Sequence, residues 1–116
     1  LLQSETATTE GRTVVSNYYE ALNKKDYHGA YRYLSARAME RYGTFELWEQ
    51  AMTKEEVPKV KAIQLDYVSQ DQDDDIVVNY MGFTITFEDN LEPVLVRLHN
   101  EGKGWGIVAI EAAEED

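Results

Sequence analysis

Apolar residues recur every three or four positions in the first half of the chain and every two in the second, with the change near residue 60. Val14, Val15, Tyr18, Tyr19 and Leu22 lie at helical spacing and predict an amphipathic helix over residues 10–24. Asn23, Lys24 and Lys25 form its last turn, with both lysines near the negative end of the helix dipole. Asp26 is placed to cap a second helix carrying the stripe Tyr27, Ala30, Tyr31 and Leu34, although Gly29 within it lowers helix propensity. Ser35 caps a third segment, "ARAMERYG", with Ala38, Met39 and Tyr42 on one side and Gly43 as its stop. Thr44 caps a fourth, "FELWEQAMTK", with Phe45, Trp48 and Met52 in one row, and Pro58 closes the helical half.

Beyond residue 60, alternation predicts strands. Ile63, Leu65 and Tyr67 form one face of the first. The turn "QDQDDD" leads to the long strand "IVVNYMGFTITF", where Val77, Met81, Phe83, Ile85 and Phe87 share that face and Gly82 marks a bulge or bend. After "EDN" comes "LEPVLVRLH", with Val94, Val96 and Leu98 inward and Pro93 at a strand start or edge. "NEGKG" is a hairpin turn with Gly102 at positive φ, and "WGIVAIE" is the last strand. Helices followed by strands on short turns imply an α+β domain with an antiparallel sheet. Three to four helices are expected to pack on a strongly curved four-stranded sheet. The opposite sheet face then carries Val78, Tyr80, Thr84, Thr86 and Leu95. Apolar groups there predict a covered surface, for a second copy or a docked domain.

The order of these elements, together with "YEAL", "DY", "AYRYLS" and "YGTFELW" at Tyr19–Leu22, Asp26–Tyr27, Ala30–Ser35 and Tyr42–Trp48, resembles the nuclear-transport-factor-2-like superfamily, also called SnoaL-like or cystatin-like. The likeness runs over residues 12–111 and is closest in flavour to small bacterial extracytoplasmic and lipoprotein-type domains. It implies a cone-shaped roll of helices and bent sheet. It further implies a binding or spacer module, or else an isomerase- or dehydratase-type enzyme or carrier that uses the cone. Some members dimerise sheet on sheet.

Composition narrows these readings. The chain has 116 residues, enough for one domain, 12–112, with a tether at 1–11 and an acidic tail at 113–116. Asp+Glu number 22 against 11 Lys+Arg, a formal net charge of −11, which disfavours nucleic acid and anionic membrane surfaces. With no cysteine, disulfides, thiolate chemistry and Cys-ligated zinc are excluded. No apolar run is long enough to cross a membrane. The chain starts without Met, and its Ser/Thr/Glu-rich residues 3–10 read as a short tether beyond a signal peptide or anchor. The expected location is therefore extracytoplasmic, with the cytoplasm as the alternative.

Catalysis in the cone requires an inward Asp, His or Tyr with a partner. Of the inward set only Tyr67 is polar, so no catalytic residue is assigned. His28 and His99 are both expected on the surface and do not have metal-ligand spacing. Asp71, Asp73 and Asp75 match the first three positions of a calcium loop. Ile76 then stands where the loop needs glycine, and Gly82 where it needs glutamate, so a solvated turn is expected. No cofactor or metal is expected. Tyr19, Tyr31 and Trp48, each from a different helix, with Tyr67 and Phe83 from the sheet, are the candidates to line a pocket for a small apolar ligand. Otherwise they are ordinary core.

Overall fold

A computed structural model describes residues 2–113, so the acidic tail expected at 113–116 lies outside the described residues but for Ala113. Four helices precede four strands: α1 Leu2–Asn23, α2 Tyr27–Tyr31, α3 Ala36–Tyr42, α4 Phe45–Thr53, β1 Val60–Asp73, β2 Ile76–Phe87, β3 Val94–Asn100 and β4 Gly106–Ala112. The strands form one antiparallel sheet in the order β1-β2-β3-β4. Residues 2–11, expected as a tether, are helical and continue α1 towards the N-terminus. This extension crosses the sheet closely. Gly11 is buried, and a side chain there would run into Met81 and Phe83.

The helix starts follow local chemistry. The Asp26 carboxylate accepts from the Gly29 N–H, the Ser35 hydroxyl from Ala38 and the Thr44 hydroxyl from Leu47. Gly43 stops α3 at φ 94° and Gly102 turns the last hairpin at φ 103°.

The core joins the helical stripes to one sheet face: Val15, Tyr18, Tyr19, Leu22 and Trp48 against Met81, Phe83, Ile85, Val96, Leu98 and Ile107. Trp48, Tyr18, Phe83 and Met81 are the bulkiest of its fully buried side chains. Burying each of these is worth roughly 1.5–3 kcal/mol, the hydrophobic term that fixes the layers. The tip of the β1–β2 hairpin lies apart from this core. Ile76 is exposed there, and so is Val77, which was expected inward.

The sheet departs from simple alternation at three places, between Val60 and Ala62, Leu65 and Tyr67, and Arg97 and Leu98. The second corrects two expectations. Gly82 is not a bulge, since it pairs with Tyr67 on one side and Arg97 on the other. The extra residue is Asp66 in the neighbouring strand, whose carboxylate accepts from the Thr84 hydroxyl. One inserted residue reverses the faces that follow it. Tyr67 therefore lies on the outer face, its ring in the space that a side chain at Gly82 would fill.

The β4 edge is sealed by the connector between α2 and α3. Ser35 N–H donates to the Ile107 carbonyl at 2.8 Å, Ile107 N–H donates to Tyr33 at 2.9 Å, and Leu34 forms a parallel bridge with Ile107. Gly106 permits this approach, because a Cβ there would come within 2.9 Å of the Ser35 Cα.

Candidate functional site

The expected pocket residues are divided between the two faces of the sheet. Tyr19, Trp48 and Phe83 are buried in the core at 5%, 1% and 0% exposure. Tyr31 is half-buried and packs its ring on Trp48 and Phe45, with centroids 5.1 Å away in each case. Tyr67 is on the other side of the sheet, where its hydroxyl accepts from Arg97 at 3.3 Å, and Arg97 in turn pairs with Glu111 at 2.5 Å. On that outer face Tyr80, Thr84, Thr86 and Leu95 are half-buried. Val78 is fully buried, outside the main core cluster. The hydroxyl, carboxylate and guanidinium groups interleaved with them make this face more polar than alternation alone implies.

Among the described residues, clefts border β4 on the α3 side and at the β3–β4 hairpin. One, of about 340 Å³, lies between α3 and β4 and has Tyr18, Tyr42, Arg41 and Ile110 among its walls. Burial, reinforced by Tyr19, holds the Tyr18 phenol far above its usual range, so it remains a neutral donor. Glu111, the carboxylate of that cleft, is engaged by Arg97. A proton-transfer pair is therefore not assembled there.

The other cleft, about 230 Å³, lies at the β3–β4 hairpin, where the sealing connector meets the turn. Its walls come from three places. Arg32 and Arg37 come from either side of the connector, His99 and Glu101 from the end of β3 and the turn after it, and Lys103 and Trp105 from the turn leading into β4. Arg37 is held against Glu101 at 2.6 Å. Arg32 lies on the Tyr33 ring, 5.2 Å from its centroid. Lys103 has no ion-pair partner among the described residues. Asn100 folds the turn by accepting from the N–H groups of Gly102 and Gly104.

His99 decides the character of this cleft. It was expected on the surface, yet it is 6% exposed. It pairs with Gly106 in the sheet, the same residue that lets the connector close in, and its ring leans on Tyr80 with centroids 6.2 Å apart. Its Nδ1 is buried and has no hydrogen-bond partner. The nearest charge is Glu101 at 3.7 Å, beyond hydrogen-bond reach. Burial holds the imidazole below its ordinary range; Glu101 acts against this and Arg37 with it. Sequence alternation alone does not reveal the site. Arg32 and Arg37 lie far upstream of the hairpin, and only the "GKGWG" run marks a backbone that others can approach.

No family model, curated protein or solved structure matches the chain.

Proposed function

We propose that this chain is a non-catalytic binding domain of the nuclear-transport-factor-2-like kind. One observation carries the reading: the described interior between helices and sheet is built from apolar side chains and tyrosines. Among the described residues the buried polar ones, Ser35 and His99, line the hairpin cleft rather than that interior. An isomerase or dehydratase using the cone needs a carboxylate or imidazole in that interior. The four helices before a four-stranded meander fit the resemblance. So do the three register shifts, since bulges bend strands and sharpen their twist, and the sheet of this reading curls around the helices. The reading places the domain outside the cytoplasm, as with the extracytoplasmic domains it resembles. Among the described residues, no helix is long and apolar enough to cross a membrane.

A methyl-resolved NMR titration with indole, a small apolar probe, tests this. The expected result is no saturable shift of the Met81 and Ile85 methyl groups. Saturable shifts at both would reveal an open interior and overturn the reading in favour of a cone-pocket enzyme or carrier. The outer face with Tyr80, Thr84, Thr86 and Leu95 is the surface this reading offers to a second copy, and light scattering at high protein concentration reads that directly.

A further inference from the structure

We propose that the cleft at the β3–β4 hairpin is a binding site for a small organic carboxylate, held by Arg37 and Lys103 beside the buried imidazole of His99, with its apolar body against Trp105. The proposal rests on the binding-domain reading and supplies the ligand class that reading lacks.

The first argument is charge. The chain as a whole carries a net charge of −11, yet this cleft gathers Arg32, Arg37 and Lys103 against one carboxylate, Glu101. An anion entering the cleft therefore meets a local excess of positive groups, opposite in sign to the net charge of the chain.

The second argument is an unmet hydrogen bond. A buried polar atom without a partner costs about 1–3 kcal/mol and calls for an explanation. His99 Nδ1 is such an atom, on a side chain 6% exposed that lines the cleft. A carboxylate oxygen accepts from an Nδ1–H, which the charged ring and the Nδ1–H tautomer of the neutral ring both offer.

The third argument is that the protein already places a carboxylate there. Glu101 reaches Arg37 at 2.6 Å and comes within 3.7 Å of Nδ1 without closing that contact. It sits in the turn after β3 and is partly exposed, so it can swing out to release the guanidinium fork. Glu101 thus marks the position of a ligand carboxylate and competes with it. The volume, about 230 Å³, is below the usual range for drug-sized ligands, roughly 300–1,000 Å³, and suits a short acid. Half-buried Trp105 offers such an acid a flat apolar wall.

The test uses benzoate as the probe, benzamide as its neutral isostere and inorganic phosphate as the competing anion. The full chain is followed by the indole N–H of Trp105 and the amides of Gly104 and Gly106. Benzoate is expected to shift these signals saturably. Benzamide should bind about tenfold more weakly, the loss of one charge-assisted contact. Arg37→Gln and Lys103→Gln should each weaken benzoate by about the same factor. Both side chains are exposed, so the fold tolerates the changes, and an unchanged spectrum elsewhere checks it. Glu101→Gln should tighten benzoate by removing the competitor. Equal binding of benzoate and benzamide overturns the proposal and leaves the binding-domain reading standing. The absence of any shift with benzoate, or phosphate binding more tightly than benzoate, overturns the proposal as well. Indole entering the interior overturns the earlier reading instead, so the two failures are distinct.

Discussion

Burial of His99 penalises its charged form, Arg37 adds to the penalty and Glu101 offsets part of it, so the native imidazole titrates below the 6.5 of an unperturbed histidine. The sign of the consequence follows from proton counting. Between 6.5 and the lower native value the unfolded chain binds more protons than the folded one, so this group lowers stability as pH falls through that window. Above 6.5 its contribution is flat. Urea unfolding at a series of pH values should show that loss in the wild type and a shallower one in His99→Gln; identical slopes would exclude His99 as the source. Neither this burial nor the position of Tyr67 was legible in the sequence. His99 alternates with Leu98 and so falls on the outer face, where solvent is the default. What buries it is a connector that belongs to another part of the chain. Tyr67 alternates with Leu65, and only the Asp66 insertion, fixed by its Thr84 partner in the next strand, turns it around.

The starts of α2, α3 and α4 were far more legible than strand faces, because a cap is settled within three residues. Asp26, Ser35 and Thr44 each satisfy the N–H three positions on, as their residue types and the following apolar stripes indicate. A strand's register depends on its neighbour, and two of the register shifts in this sheet occur within runs that alternate cleanly in the sequence. The polar composition of residues 3–10 also misled. It suits a tether, but Gly11 and the apolar residues after it hold α1 against the sheet, and the helix extends through the polar stretch. The docking of the connector on β4 is the element-level contact most open to a single change. Gly106→Ala places a methyl group within 2.9 Å of backbone at Ser35, which cannot rotate aside. Overpacking of this kind costs about 1–3 kcal/mol. Denaturant unfolding should register that loss, together with weakened amide protection at Ser35 and Ile107. A loss within about 0.5 kcal/mol, the range of ordinary surface changes, would show that the approach is looser than described.

The molecule as a whole is an acidic shell around a well-filled core. Its 22 acidic side chains outnumber its 11 Lys and Arg two to one, and the ion pairs of Lys and Arg among the described residues are few and solvent-exposed. Self-repulsion of this kind weakens the compact state and is screened by salt over a Debye length of about 8 Å at physiological ionic strength. The midpoint of thermal unfolding should therefore rise as sodium chloride is added from low ionic strength. A falling midpoint would mean that the few attractive pairs outweigh the net repulsion. At this scale the change of period near residue 60 made the α+β class and the order of all eight elements readable. The cleft was not readable, because it joins the two halves rather than belonging to either.

That joining has a consequence in time. Arg41 donates to the carbonyl of Val108, 67 positions further along, and Ser35 is tied to Ile107 over a similar span. A chain leaving the ribosome N-terminus first presents α2 and α3 well before the strand that anchors them. Such non-local closure is the slow part of folding. Until it happens, Arg37 and His99 are on separate, unjoined pieces and the cleft does not exist. Any anion that fills it binds only the closed chain, so it acts as a latch on the final strand, holding shut the last fastening the protein makes.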